Sequence, residues 1–208
     1  MLSLIYNFLK FIFILFLPIV VLIRGAVYLN LSEGYNYMIS LLISGAVTAV
    51  LLAIYFSVFY GRITKKKTKI KYLRRRFMIT FFLVGIFTLY GIVNLSDANA
   101  KSSQVKKEFT ELHPILRLGT SIVFLFDRKA IMTDGSRVPE DYKKMGLSTN
   151  SSSLHYKQKT GFVHAIDLRT NGRGELRNKA LVWYFKSMGF QTLRHVGTAD
   201  HLHVALPL

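Results

Sequence analysis

The sequence SLHYKQKTGFVHAIDLRT, Ser153–Thr170, decides how the C-terminal part of this chain folds. Its second half, FVHAIDLRT, alternates apolar and polar residues, and this period of two predicts a β-strand. Because successive side chains of a strand point to opposite faces, Asp167 shares a face with Ala165, whereas His164 lies on the other face. The first half is polar and carries His155. The stretch therefore predicts a loop histidine followed by a strand that presents a carboxylate on one side of a sheet.

Composition divides the chain of 208 residues into a membrane part and a water-soluble part. Up to Leu95 the only acidic residue is Glu33, whereas all six histidines and ten of the eleven acidic residues lie from Ser96 onward. The formal net charge is +17, and the chain has no cysteine. The soluble part therefore has no disulfide and must be held together by packing or by a metal.

Three apolar stretches in the N-terminal part are each long enough to cross a bilayer. They cover residues 4–23, 37–60 and 77–95, and about 20 apolar residues are enough to cross the hydrocarbon core as a helix. A buried helix of a soluble protein would show a polar stripe, which these stretches lack. We therefore predict a membrane domain over residues 1–95 with three transmembrane α-helices.

The run GRITKKKTKIKYLRRR, residues 61–76, holds nine Lys or Arg and no acidic residue. Short basic loops stay in the cytoplasm. The run thus predicts a multi-pass membrane protein with a cytoplasmic N-terminus and a C-terminal domain on the other side of the membrane. We expect the run to contact anionic cytoplasmic lipid. No nucleic-acid-binding fold accompanies it, so no nucleic-acid partner is predicted.

After a linker over residues 96–111, residues 112–208 predict an α+β domain with a mainly antiparallel sheet. A helix is expected near residues 103–126, interrupted at HP, and strands are expected in RKAIMT, FVHAIDLRT, FQTLRH and HLHVALPL. A second helix is expected in GELRNKALVWYFKSMG, with Gly189 as its C-terminal cap. The predicted buried face of that helix consists of Leu176, Ala180, Trp183 or Tyr184, and Met188.

Three separate segments of this domain carry side chains suited to metal binding and catalysis. In chain order these side chains are Arg137, His155, Asp167, Asp200, His201 and His203. Hydrolysis with zinc needs three protein ligands, an open fourth position, a base, and a cation or donor for the oxyanion. Because side chains of a strand repeat every two residues, His201 and His203 lie on one face. The domain therefore predicts a zinc-dependent hydrolytic site.

Residues from about Leu112 to the C-terminus resemble the peptidase M15 family of zinc D-alanyl-D-alanine carboxypeptidases and phage L-alanyl-D-glutamate endopeptidases, whose fold is shared with the Hedgehog signalling domain. The family pattern is Ser-x-His-x-x-Gly-x-Ala-x-Asp, followed near the C-terminus by Glu or Asp-x-x-His. The matching residues, in order, are Ser153, His155, Gly161, Ala165 and Asp167, then Asp200 and His203. The segments ELHPILR and AIMTDGSR also resemble segments of the family.

The resemblance implies a bound Zn²⁺ with His155, Asp167 and His203 as its ligands. It implies that Asp200 acts as the general base. Arg137 would hold the substrate carbonyl or the oxyanion as negative charge develops.

Further roles follow from the same resemblance. Ser153 would contact the substrate or support the ligands, and His201 would be a supporting donor or an alternative base. The implied substrates are peptidoglycan stem peptides, cut by a DD-carboxypeptidase or by an L,D- or D,D-type endopeptidase. Together with the predicted topology, the resemblance implies a bacterial cytoplasmic (inner) membrane, with the C-terminal domain on its periplasmic or extracellular side, where the cell wall lies. The sequence leaves open whether the membrane domain binds a protein partner.

The spacing of the first motif differs from the family pattern, because His155 and Asp167 lie twelve positions apart where the family spaces them by seven. Three alternatives stay open. In the first, a hairpin accommodates the extra residues of KQKTGFV at little entropic cost. In the second, the first ligand, His155, is displaced and the site is damaged. In the third, His164 replaces His155 as a ligand. The altered spacing also leaves open a catalytically impaired module of this fold that binds cell-wall peptide or a partner protein.

Overall fold

The apolar N-terminal stretches form three long helices, and a small sheet follows them in the chain. The structure is a computed structural model that divides into two units, Met1–Leu89 and Tyr90–Leu208. It describes residues 2–65, 70–144, 146, 148, 150–197 and 200–208. Each unit is considered by itself below.

The three helices are α1 (Leu2–Leu31), α2 (Tyr37–Thr64) and α3 (Ile70–Val93). Each contains a stretch long and apolar enough to cross a membrane, which confirms the prediction of three such helices. Helix α2 begins at the predicted residue, and α1 and α2 end later than predicted because backbone hydrogen bonding continues past the predicted ends. Helix α3 begins seven residues earlier than predicted and ends at Val93, two residues before the predicted end. Helices α2 and α3 thus extend into the basic run 61–76, of which residues 66–69 lie outside the described part of the chain.

Small and hydroxyl-bearing residues bring the helices of the first unit together. A Cβ atom added at Gly25 on α1 would lie 3.3 Å from the Cβ of Ser44 on α2, so the two backbones are close. Between α2 and α3, the Thr80 hydroxyl donates to the Ala49 carbonyl at 2.8 Å. Close approach of small residues and interhelical hydrogen bonds are the usual means of packing helices within a bilayer.

The second unit alternates short helices with four strands. In chain order its helices are α4 (Ser103–Glu108), α5 (Pro114–Phe126), α6 (Pro139–Lys144) and α7 (Glu175–Met188). Its strands are β1 (Met132–Asp134), β2 (Ala165–Arg169), β3 (Gln191–His195) and β4 (His201–Ala205). Single 3₁₀ turns span Asp97–Asn99 and Phe109–Glu111.

The stretch 96–111, predicted as a linker, is folded. It contains α4 and both 3₁₀ turns, and its side chains Val105 and Phe109 are buried. The Asn99 side chain donates to the Ala130 carbonyl at 2.8 Å. Val105 and Phe109 are the large apolar residues of a mostly polar segment, and they pack on the core. Composition alone therefore does not show that the segment is folded.

The strands form one antiparallel sheet in the order β1-β2-β4-β3. The predicted antiparallel sheet is thereby confirmed. In the register of β2 and β4, Asp167 lies opposite His203 and Arg169 lies opposite His201. Directly opposed side chains on adjacent strands are close neighbours. The sheet thus brings together two residues that are far apart in sequence.

The predicted buried face of α7 is confirmed at Met188 and wrong at Leu176, Ala180 and Trp183. The buried residues are Asn178, Leu181, Phe185 and Met188, whereas Leu176 is 83% exposed and Trp183 is 72% exposed. Asn178 lies on the buried face instead, where its side-chain nitrogen donates to the Thr170 carbonyl at 3.1 Å. A pattern of apolar residues cannot reveal that a polar amide side chain is buried.

The cap of α7 is as predicted. Gly189 has a φ of 96°, in the left-handed region that favours glycine, and its backbone N–H donates to the carbonyls of the last turn. A glycine in this conformation satisfies carbonyl groups that the helix leaves without partners. The chain can then turn directly into β3.

Two buried histidines lie side by side in the core of the second unit. The rings of His113 and His164 have centroids 4.8 Å apart. The two nitrogens of His164 lie 3.1 Å from the Leu206 carbonyl and 2.7 Å from the Thr160 hydroxyl. Burial, followed by the neighbouring His164 and Arg117, lowers the pKa of His113 to about 3. Burial also lowers the pKa of His164.

We predict that acid destabilises the second unit. The unfolded chain takes up a proton near pH 6.5 and the folded His113 does not. Stability is therefore complete above pH 6.5 and falls as the pH drops below it, by on the order of 2 kcal/mol between pH 7 and pH 5. The measurement is urea unfolding of the full chain in detergent, followed by near-ultraviolet circular dichroism. The variant His113→Phe should lose less stability over this range, and an equal loss would contradict the assignment.

Candidate metal centre

Three side chains from separate segments meet on one face of the sheet. The Nδ1 atom of His203 lies 3.0 Å from Oδ1 of Asp167 and 3.1 Å from Nε2 of His155. The third side of this triangle, from His155 Nε2 to Asp167 Oδ1, measures 3.4 Å. The side chains of His155 and Asp167 are buried, and that of His203 is partly exposed. We call these three residues the ligand triangle.

The dimensions of the ligand triangle suit a small divalent metal ion. With ligand bonds of about 2.0–2.1 Å, neighbouring ligands of a tetrahedral site lie about 3.4 Å apart. The distances of 3.0, 3.1 and 3.4 Å are close to this value. Three nitrogen or oxygen atoms at such separations can hold a metal ion and leave a fourth position open.

The sheet and one loop position the three residues. Asp167 and His203 are directly opposed on β2 and β4, so the strand register alone brings them together. The loop that carries His155 is held at two points. The His164 N–H donates to the Leu154 carbonyl at 2.9 Å, and the Arg137 N–H donates to the His155 carbonyl at 3.0 Å.

A backbone carbonyl orients the ring of His155. Its Nδ1 atom lies 2.6 Å from the Gly135 carbonyl oxygen. A carbonyl can only accept, so Nδ1 carries the proton and Nε2 presents its lone pair to the ligand triangle. The close approach needs glycine, because a Cβ atom at position 135 would lie only 2.6 Å from the side chain of Met132.

The extra residues between His155 and Asp167 form a small hairpin. The Gln158 N–H donates to the Phe162 carbonyl, and the Gly161 N–H donates to the Gln158 carbonyl. Gly161 has a φ of 81°, which suits glycine at this turn. Of the alternatives left open by the sequence, the structure contains the hairpin that absorbs the added length. His164 points away from the ligand triangle, because its ring nitrogens face Thr160 and Leu206.

A buried ion pair supports the ligand triangle. The Arg137 guanidinium donates to Oδ2 of Asp167 at 2.5 Å and to Oδ2 of Asp134 at 2.9 Å. Burial alone would raise the pKa of Asp167, but the neighbouring His155, the neighbouring His203 and the charge of Arg137 outweigh it. The pKa of Asp167 therefore lies well below its ordinary range. The carboxylate is charged at neutral pH, as a metal ligand must be.

A pocket of about 410 Å³ opens over the ligand triangle. Besides the three ligands, its lining includes Arg137, Ser153, His195 and His201. The Ser153 hydroxyl lies 2.7 Å from the Tyr142 hydroxyl and accepts from the backbone N–H of His155. Ser153 thus supports the loop that carries the first ligand and also faces the pocket.

Two histidines form one wall of this pocket. The rings of His195 and His201 stack with centroids 4.7 Å apart, since these residues are directly opposed on β3 and β4. Nε2 of His201 lies 3.8 Å from Oδ2 of Asp167. His201 therefore lies beside the ligand triangle, on the face of β4 that also carries His203.

Asp200 has a different set of neighbours. Its carboxylate accepts a short hydrogen bond from the Thr170 hydroxyl and pairs with the Arg194 guanidinium at 3.3 Å. The hydrogen bond from Thr170, then that from Arg194, lowers the pKa of Asp200. Asp200 is thus charged at neutral pH, and it is held beside β4 by residues of two other strand ends.

Sequence reasoning did not find several residues that support the site. These are Asp134, Gly135, Tyr142, Thr170, Arg194 and His195. Gly135 and Thr170 act through partners distant in sequence, His155 and Asp200. Asp134 and Arg194 have nearer partners, Arg137 and Asp200, but no periodic pattern marks these pairs.

We predict that Arg137→Gln destabilises the protein by about 3 kcal/mol in the presence of a chelator, because it leaves the buried carboxylate of Asp167 without its cation. The measurement is urea unfolding of the full chain in detergent. Lys106→Gln is the matched control, since it breaks an exposed pair with Asp97 and should change stability little. Equal effects of the two substitutions would show that the Arg137–Asp167 pair contributes no more than a surface pair.

Comparison of the chain with protein-family models, with curated proteins and with solved structures gave no match.

Proposed function

We propose that this chain is a membrane-anchored zinc peptidase that hydrolyses peptidoglycan stem peptides outside the bacterial cytoplasmic membrane. The observation that carries the proposal is the ligand triangle at the base of an open pocket beside Arg137. Two imidazoles and one carboxylate around an open position are typical of catalytic rather than structural zinc sites. The resemblance of the same residues to the peptidase M15 pattern supports the proposal.

Zinc fits the donor set of the ligand triangle. Imidazole nitrogen and carboxylate oxygen are ordinary zinc ligands, and Asp167 and the lone pair of His155 are already prepared by Arg137 and Gly135. When bound, the metal supplies a Lewis acid that polarises a carbonyl and makes water a better nucleophile.

The protein groups around the ligand triangle would stabilise the transition state, orient the substrate and transfer the proton. Arg137 lines the pocket, and its charge would favour an oxyanion in the transition state. Ser153 would orient the substrate through its hydroxyl. Asp200, ionised at neutral pH, would accept the proton of the attacking water and pass it to the leaving amine. His201 is the alternative base, because it lies on the pocket wall.

The substrate class follows from the predicted orientation. The basic run 61–76 would stay in the cytoplasm, which places the second unit on the side where peptidoglycan lies. The second unit's own excess of basic residues, 17 Lys or Arg against ten Asp or Glu, would attract anionic wall polymers. Both carboxypeptidase and endopeptidase activity are compatible with an open pocket.

A binding module without catalysis is the second candidate. The observation that favours it is the pairing of Asp200 with Arg194 and Thr170, which occupies the carboxylate that the resemblance names as the base. Such a module would bind cell-wall peptide or a partner protein through the same pocket.

The two candidates are separated by incubating the full chain in detergent with purified muropeptides. We expect a cleavage product that disappears with a chelator and returns with Zn²⁺. We expect Asp200→Asn to lower kcat by about 10²-fold or more, because general-base catalysis contributes that much, while His201→Gln lowers it less. Mass spectrometry identifies the bond that is cut.

Each contrary result has a definite meaning. A larger decrease of kcat in His201→Gln than in Asp200→Asn would show that His201 is the general base. Unaltered muropeptides with zinc-loaded protein would overturn the peptidase proposal and favour the binding module. His113→Phe serves as the control variant, because it lies in the core away from the pocket.

A further inference from the structure

A second pocket continues the first one within the second unit. The pocket over the ligand triangle has a neighbour of about 490 Å³. The two pockets share three lining residues, Leu154, Leu193 and His203. Since His203 belongs to the ligand triangle, the second pocket begins at the candidate metal position. We call the two pockets together the long groove.

The floor of the long groove is one face of β3 and β4. Side chains two residues apart on a strand share a face. The register sets three pairs of residues side by side on this face: His195 with His201, Leu193 with His203, and Gln191 with Ala205. The first pair lines the first pocket, and the last pair lines the second. The pair that contains His203 therefore lies in the middle of the long groove.

The long groove is long enough for about four residues of an extended peptide. The His195–His201 pair and the Gln191–Ala205 pair are four residues apart along each strand, which is about 13 Å at 3.3 Å per residue. An extended peptide has nearly the same rise per residue. A substrate whose reacting carbonyl lies at the ligand triangle therefore has about two residues on either side of it.

Apolar side chains line the second pocket beside the ligand triangle. Leu193 is 57% exposed, although it lines both pockets, and Phe190 and Ala205 line the second pocket with it. Covering an exposed apolar side chain removes its surface from water and is favourable. The second half of the long groove thus favours a substrate residue with a methyl group or an aliphatic stem.

Lys186 supplies a positive charge to the second pocket. It lies in the last turn of α7, is exposed, and lines this pocket but not the first. Within the described part of the chain, no acidic residue lines the second pocket, and Lys186 belongs to no ion pair. The Arg137 guanidinium, by contrast, is already bonded to Asp134 and Asp167. The charge of Lys186 thus favours a substrate carboxylate on one side of the ligand triangle.

We propose that the long groove binds an extended acidic peptide across the ligand triangle, with a peptide carboxylate at Lys186 and an aliphatic group on Leu193. For its catalytic consequence the proposal rests on the proposed peptidase function. The bond that is cut is then internal, so the chain is an endopeptidase and not a carboxypeptidase that removes one terminal residue. Water adds to the internal carbonyl, the C–N bond breaks, and the proton lost by the water goes to the leaving amine.

Peptide binding to the full chain in detergent tests the long groove, with a chelator present so that the peptide stays intact. The probe is a synthetic stem pentapeptide with lysine at its third position and a neutral fluorophore at its N-terminus, and fluorescence anisotropy gives Kd. We expect Lys186→Gln to raise Kd about fivefold, because one charged contact is lost. Lys179→Gln is the matched control, since Lys179 is an exposed lysine of α7 outside both pockets, and it should leave Kd unchanged.

Two amidated forms of the same peptide identify the carboxylate that Lys186 holds. One form carries an amide in place of the α-carboxylate of its glutamate, and the other carries an amide in place of the terminal carboxylate. We expect one of the two forms to bind wild type and Lys186→Gln equally well. An unchanged Kd of Lys186→Gln for the unmodified peptide would overturn the proposal, and so would a difference that both amidated forms retain.

Mass spectrometry of the products of the zinc-loaded chain tests the internal cut. We expect each product of the pentapeptide to contain at least two residues. Release of a single terminal residue would overturn the endopeptidase assignment. An intact pentapeptide together with the expected pattern of Kd values would reject the peptidase function and support the long groove as a binding site, so the two failures are distinguishable.

Discussion

The candidate site depends on one buried carboxylate, that of Asp167. A charge inside a protein is tolerated only when it is paired and hydrogen-bonded. Asp167 meets this condition with Arg137 on one oxygen and His203 on the other. Because Asp167 and His203 are directly opposed on adjacent strands, the register of β2 and β4 determines whether the charge has its partner. A slip by one residue would move His203 to the other face of the sheet. Fold and site are therefore specified by the same pairing.

The two halves of the chain are stabilised by different physics, and composition separates them. In the first unit small residues such as Gly25 and Ser44 allow close helix packing, and apolar side chains are left to face lipid. In the second unit many polar groups are paired within the protein, and one series of contacts runs from Gly135 through His155 to Asp167. Gly91, two residues before the end of the apolar span Tyr72–Val93, accepts a hydrogen bond from Ser121 of α5.

Sequence patterns predicted the features that are local or periodic. The length of the apolar stretches predicted the three helices. The alternation of apolar and polar residues predicted that Asp167 and His164 face opposite sides of the sheet, and the structure confirms this. Of the buried face of α7 only Met188 was predicted, and the polar Asn178 lies on that face with a partner. The environment of Asp200 was also beyond prediction, since Arg194 and Thr170 reach it only through tertiary folding. Pairings between distant residues leave no periodic signal in one sequence.

The central claim is that His155, Asp167 and His203 jointly hold a zinc ion, and its most direct test is the zinc content of the full chain in detergent. Elemental mass spectrometry should find one zinc per wild-type chain, lost in both His155→Ala and His203→Ala. His195→Ala should retain it, because His195 lines the same pocket outside the ligand triangle. Wild-type protein without zinc after incubation with the metal, or undiminished zinc in His155→Ala, would contradict the account.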